Sequence, residues 1–218
     1  MGIAERRERE KEALRTRIVE SARDIISESG LHALSMRSIA ERIEYSPGTI
    51  YLYFKDKDAL LREVILAGFE RMGEYIEGEL RAVGSEANPA EQHRALGRAY
   101  ARFALENTAY FRVMFELPTV PQMECASHED HEESVPPEHL VVAVVQRAID
   151  AGLYQVRDAE TGAVIAWGLI HGLTSLYLSG RLGEAVGSNE ALLELVEVAM
   201  DSLGVGWLPR ETASGEAA

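Results

Sequence analysis

The sequence predicts an all-α protein, and three observations carry that prediction. Apolar residues recur at helical spacing nearly throughout the 218 residues, no strand-like alternation of useful length occurs, and Ser, Asp and Gly stand where helices start and stop. The first helix, over about 8–29, places Leu14, Ile18, Ala22, Ile25 and Ile26 on one face and stops at Gly30, a residue suited to the left-handed cap position. Ser35 caps a short second helix, 36–43, with Ile39, Ala40 and Ile43 inward. Ser46 followed by Pro47 is a cap with proline at the first helical position, so a third helix runs from 47 to about 54. Asp56 caps a long fourth helix to about 83.

After a connection over 84–89, helices are expected over 90–106 and 108–117. The segment 118–137, "PTVPQMECASHEDHEESVPP", has four prolines, a run of acids and no period, and reads as a loop. Helices follow over 138–151, 159–182 and 189–203, and the tail "RETASGEAA" reads as disordered. The expected domains are therefore 1–55, 56–209 with the fourth helix as link, and a tail 210–218.

Charge divides the chain into two parts. The total is -14, but residues 1–70 hold 12 Lys and Arg against 13 Asp and Glu, whereas 71–218 hold 10 against 23. Acidity this strong argues against nucleic acid as a partner of the second part, and in the first part any such contact must rest on local cations. No run of about 18 uninterrupted apolar residues occurs and residues 1–11 are charged, so neither a membrane span nor a signal peptide is expected. With Cys125 the single cysteine, the expectation is a cytoplasmic protein with no internal disulfide.

The stretch "YSPGTIYLYFKDKDALL", 45–61, carries the chemistry of the first part. Two short helices joined by "EYS" describe a helix-turn-helix, whose second member enters the major groove of DNA. Ile50 and Phe54 point into a core with Leu31, Leu34, Ile39 and Ile43, which leaves Gly48, Thr49, Tyr51, Leu52 and Tyr53 outward. Gly48 has no side chain to hold the helix off a groove, Thr49 offers a hydroxyl and a methyl to base edges, and Tyr51 and Tyr53 offer hydroxyls to phosphates. Ser46 starts this helix, Lys57 adds a cation at the first turn of the fourth helix, and Arg37 and Ser38 are placed to face phosphate near the start of the second. The competing reading makes the tyrosines core residues of a small helical domain.

The stretch "GLHALSMRSIAERIEYSPGTIYLYFKDKDALLREVI" closely resembles the DNA-binding region of the tetracycline-repressor (TetR) family of transcription regulators, over about 14–66. The resemblance implies an all-helical, usually homodimeric protein that reads a palindromic operator in double-stranded DNA. It also implies DNA contacts at Ser35, Arg37, Thr49, Tyr51, Tyr53 and Lys57. Tyr45 departs from the small or valine-like residue frequent in that turn, and its role stays unassigned.

In the second part, the helix over 159–182 has no polar face. Val164, Trp167, His171, Thr174 and Leu178 share one stripe, Gly168, Gly172, Ser175 and Ser179 a second, and Ile165, Leu169, Leu173 and Leu176 lie opposite. A seam of small residues lets another helix approach, so a dimer interface is expected at Gly168, Gly172, Ser175 and Ser179, with Leu192, Leu195 and Val196 from the last helix. A tight crossing within one chain is the alternative. "NTAYFRVMFELP" and "AWGLIHG" resemble the WHG-type C-terminal domain of the same family through Trp167, His171 and Gly172. Tyr100, Phe103, Tyr110, Phe111, Met114, Phe115, Trp167 and His171 are the residues expected near a mostly apolar effector cavity, with a hydrogen-bonded core role as the alternative for His171.

"CASHEDHEE" spaces Cys125, His128 and His131 in a way that invites a metal, but flanking prolines and acids favour a solvated loop. No metal or cofactor is expected. No G-x-S-x-G, glycine-rich phosphate loop or H-E-x-x-H occurs, so no enzyme is expected either. The leading expectation is a homodimeric repressor released from its operator by an unknown small molecule. The alternative is a helical ligand- or metal-binding protein whose first domain makes protein contacts.

Overall fold

The computed structural model describes residues 2–115 and 137–206, and the regular elements among them are all helices, with no strand. Nine α-helices follow in order: α1 Ile3–Ser29, α2 Met36–Ile43, α3 Pro47–Tyr51, α4 Lys57–Val83, α5 Pro89–Glu106, α6 Thr108–Phe115, α7 Pro137–Asp150, α8 Ala159–Leu178 and α9 Asn189–Gly206. Helical turns Leu31–Ala33 and Gly183–Val186 are of the tighter 3₁₀ type. Cys125, His128 and His131, the proline-rich loop and the tail after 209 lie outside the described residues.

Two compact units share α4. The first comprises residues up to 71 together with 106–115, and the second 72–105 with 137–206. The first unit therefore takes in part of α4 and all of α6, beyond the boundary at 55 read from the sequence. The reason is local packing. Gly68 of α4 is buried where a Cβ would stand 2.5 Å from Met114 Sδ of α6, and the Arg23 guanidinium of α1 lies 4.9 Å from the Tyr110 ring centre.

The core of the first unit is that expected from helical periodicity. Ile18, Ala22, Ile39, Ala40, Ile50, Leu60 and Val64 are fully buried, and burying each of the larger aliphatic side chains contributes about 1.5–3 kcal/mol relative to leaving it exposed. Leu14 and Leu31, expected in that core, are only half-buried. Around it, Arg42 forks onto Glu28 with bonds of 2.8 and 2.6 Å, and Arg15 pairs with Glu63 while stacking 5.1 Å from the Phe54 ring centre. Gly30 has φ 80°, a left-handed value that a side chain resists.

In the second unit α7 and α8 pack together, as do α8 and α9. Phe103, Val145, Ala148, Leu192, Val196 and Met200 fill the interior. Gly97 brings α5 against α9 so closely that a Cβ would stand 2.8 Å from Met200 Cγ. Arg98 bridges Glu79 and Glu197, Arg102 adds a second bond to Glu79, and Arg94 reaches Asp201, so ion pairs tie this part of α4 to α5 and α5 to α9.

Four helix ends depart from expectation by three residues or more, among them that of α9, which runs to Gly206 rather than 203. Helix α1 begins five residues earlier than predicted, held by i,i+4 and i,i+3 pairs Arg6–Glu10 and Lys11–Glu8. Helix α3 stops at Tyr51, although the amide of Phe54 still donates to the Ile50 carbonyl at 3.0 Å. Helix α8 stops at Leu178, where Ser179 closes the helix and Gly180 turns left-handed at φ 71°.

Candidate nucleic-acid interface

Two serine caps set the starts of α2 and α3. Ser35 Oγ accepts from the Ser38 amide at 3.0 Å, while Ser38 Oγ accepts from the Ser35 amide at 2.9 Å, closing both ends of a capping box at α2. At the other end Glu44 adopts the left-handed conformation, φ 62° and ψ 42°, and the Tyr45 amide donates back to the Ala40 carbonyl at 2.9 Å. A non-glycine residue there costs about 1–2 kcal/mol, so the turn is held by the helices on either side of it. Ser46 Oγ then accepts from the Thr49 amide at 3.2 Å, with Pro47 at the first position of α3.

The outward set of α3 stands as the periodicity predicts. Gly48 and Tyr51 are exposed, Thr49 and Tyr53 half-buried, and Leu52 has 84% of its surface exposed. Gly48 is informative because the fold does not require it. Its backbone is outside the left-handed region and an added Cβ would meet only Ser46 Oγ, at 3.7 Å. Gly48, the second residue of α3, therefore leaves open space where a side chain would stand without strain.

Several site residues already have partners. The Thr49 and Ser46 hydroxyls lie 3.0 Å apart, and Arg37 pairs with Glu41 at 2.9 Å on an open face. Ser38, half-buried, also donates to the Ala33 carbonyl at 2.9 Å, so its hydroxyl serves the capping box and the preceding turn. Lys57 Nζ donates to the Leu31 carbonyl at 2.8 Å, so this cation also ties the start of α4 to the turn after α1. Beside them lies a groove whose α1 residues motif reading passed over. Tyr45 and Tyr53 line an open groove with Arg7, Glu10, Lys11, Ala13, Leu14 and Arg17 of α1, whose helical spacing was the available signal.

The expected effector residues fall in both units: Tyr110, Phe111, Met114 and Phe115 in the first, Tyr100, Phe103, Trp167 and His171 in the second. Phe103 and Phe111 are fully buried, whereas Trp167 keeps 48% of its surface exposed. Burial pushes the Tyr100 hydroxyl well above its ordinary pKa, so it stays protonated; its oxygen lies 2.8 Å from His171 Nδ1. His171 Nε2 in turn lies 3.3 Å from Ser175 Oγ, so both ring nitrogens stand within hydrogen-bond reach of a hydroxyl.

Part of the expected seam stands open and part is covered within the chain. The stripe of α8 that faces its own chain is Ala163, Ala166, Ile170 and Thr174, while Val164, Ile165, Trp167 and Leu176 are at least 40% exposed. Gly168 and Gly172 have nothing within 4 Å of an added Cβ. Leu192 and Val196, expected at the seam, are fully buried within the chain because α9 turns them toward its own core, where Val196 Cγ1 would lie 3.2 Å from a Cβ on Gly97. The exposed apolar residues of α9 are Val198 and Val205, with Leu195 half-buried. Helix α8 is also the one described helix long and apolar enough to cross a membrane, with mean hydropathy 1.3 and 22% of the window buried.

Comparison with known proteins matches two family profiles to these two parts. Residues 18–64 match "Bacterial regulatory proteins, tetR family", and residues 93–202, half of the chain, match "Tetracyclin repressor-like, C-terminal domain". The HTH-type transcriptional regulator UidR of Escherichia coli strain K12 is 45% identical over 62 residues, 28% of this chain and 32% of its own. The match thus spans about a third of that relative's length. A protein of unknown function from Rhodococcus sp. RHA1 superposes with TM-score 0.74 at 26% identity, over 90% of this chain and 96% of the other. A bacterial regulatory protein of the tetR family from Rhodococcus RHA1 gives TM-score 0.68 at 21% identity, over 87% and 96%, a likeness of fold. With matches in both parts, the chain belongs to the TetR family and is a transcriptional regulator with that family's DNA-binding domain.

Proposed function

We propose that this regulator is a cytoplasmic homodimeric repressor that holds a palindromic operator through two copies of α3 and lets go when a small molecule binds. The observation that carries the reading is the open surface above Gly48, flanked by Thr49, Tyr51 and Leu52. Backbone approach at Gly48 brings Thr49 and the apolar Leu52 to base edges, while Ser35, Arg37, Tyr51, Tyr53 and Lys57 hold phosphates. Ser46 and Ser38 act by setting the two helix starts.

A second copy is proposed to cover Val164, Ile165, Gly168, Gly172 and Leu176 of α8, together with Val198 of α9, in preference to a bilayer. The inward stripe of α8 is already packed within the chain, half-buried His171 and Ser175 put polar groups on the helix, and open Gly168 and Gly172 leave room for a second helix to come close. Tyr100, Trp167 and His171 are proposed as polar anchors for the effector, with Tyr110, Phe111, Met114 and Phe115 as further candidates on α6. Helix α4 is covalently common to both units, and a shift of it would change the separation of the two α3 readers. Release then requires that the effector bind the two separations with different affinity.

Selection from a pool of random duplexes of about 40 bp, a length that holds two half-sites one or two helical turns apart, tests this directly. An enriched palindrome with half-sites one turn or a multiple apart is expected. A pool that stays random at low salt would refute the reading.

A further inference from the structure

We propose that the projecting start of α1 is a second DNA-holding element, in which Arg7, Lys11 and Arg17 with the hydroxyls of Tyr45 and Tyr53 take phosphates beside the bases that α3 reads. The inference rests on the DNA-binding reading above and deepens it. Residues 4–13 of α1 are exposed, so roughly three turns of helix extend past the three-helix core. An isolated segment of that length is marginal as a helix in water, and its two local ion pairs, both solvent-exposed, add little. A helix extended at such small gain is suited to meeting something along its length.

The spacing says which side meets it. Positions 7, 11, 14 and 17 fall within one face at 100° per residue, and that face forms one wall of an open groove of about 520 Å³. Tyr45 and Tyr53 form the other wall. Neither Arg7 nor Arg17 has a carboxylate within 4.0 Å among the described residues, and the lining's one acid, Glu10, is bonded to Arg6 at 2.8 Å. The groove is therefore cationic with two phenolic donors, the combination that fits successive phosphates. Its continuity selects the occupant: Tyr53 belongs both to the groove and to the turn that ends α3, so a strand held against Tyr51 passes into the groove. Tyr45 thereby gains a function, since the left-handed Glu44 and the bond from its own amide to Ala40 set it on this wall.

The test uses the full chain and the duplex recovered by selection, with affinity followed by fluorescence anisotropy across salt concentrations. Replacing two cations in each of two protomers, Arg7→Ala with Arg17→Ala, should lower the slope of log K against log salt by about 4 and leave the ranking of single-base operator variants unchanged. Arg7→Lys with Arg17→Lys should keep the slope, and Tyr45→Phe should give a smaller uniform loss. Circular dichroism should show the same unfolding temperature for all. A double alanine variant with wild-type slope overturns the proposal, as does a loss of affinity at unchanged slope. If the wild type binds and Thr49→Ala changes its base preference while the alanine pair changes nothing, this proposal alone fails. If the wild type binds no duplex, the DNA-binding reading fails and this one with it.

Discussion

Replacing Gly48 by alanine should separate stability from DNA binding. The added methyl would stand 3.7 Å from Ser46 Oγ, an ordinary contact, with no other heavy atom within 4 Å and no left-handed backbone to strain. Glycine in a helix interior is less favourable than alanine by about 0.8–1 kcal/mol; as the second residue of a five-residue helix, Gly48→Ala should gain about half of that. For a chain of this size, 0.5 kcal/mol is a rise of roughly 1–2 °C in unfolding temperature. On DNA the same methyl sits between helix and base edges. Losing a good base contact costs about 1–3 kcal/mol, and a dimer loses it twice, so affinity should fall roughly 30-fold to 10⁴-fold. Differential scanning calorimetry and anisotropy on the selected duplex measure the two quantities. A variant that binds as tightly as wild type would refute the assignment of α3 as reader, and one that unfolds several degrees lower would refute the claim that the fold has room at Gly48.

The other predictions concern the second unit. Gly172→Leu should leave the folded chain intact, because its Cβ meets nothing, yet yield monomers in sedimentation velocity; an intact dimer would displace the seam from α8. His93, buried with Nδ1 3.1 Å from Tyr154 Oη, has its pKa lowered from 6.5 to about 4 by desolvation. The unfolded chain takes up that proton near pH 6.5 and the folded chain only near 4, so this contribution is present above 6.5 and is lost as pH falls through the window. At pH 4.5 the loss is roughly 2.5 kcal/mol, and urea unfolding of His93→Phe should show a smaller drop from pH 7 to 4.5 by that amount. Equal drops would place the acid sensitivity elsewhere.

Helix boundaries set by side-chain caps were legible in the sequence, and those set by tertiary contact were not. Helix α2 runs from 36 to 43 as read, because Ser35 satisfies the first amides and Glu44 ends the helix within two residues. Helix α4 likewise starts where Asp56 Oδ1 accepts from the Ala59 amide at 2.7 Å. Helix α3 stops at Tyr51 while Phe54 keeps the inward position that its spacing from Ile50 predicts; the stacking of Arg15 on Phe54 is what no local signal marks. The same distinction runs through the site. Periodicity sorted Ile50 from Gly48 and Tyr51, but it could not show that Lys57 reaches Leu31 or that Ser38 reaches Ala33. In α8 the small-residue seam was visible as a pattern. That the exposed partners on α9 are Val198 and Val205, with Leu192 and Val196 turned inward, depends on how α5 meets α9 at Gly97.

The central claim, two copies of α3 reading one palindrome, is tested most directly by titrating the chain onto the selected duplex and onto the same duplex with one half-site scrambled. Two chains per intact duplex are predicted, with affinity that falls steeply as salt rises and that drops by orders of magnitude when one half-site is lost. Equal affinity for the two duplexes, with no dependence on salt, would contradict it.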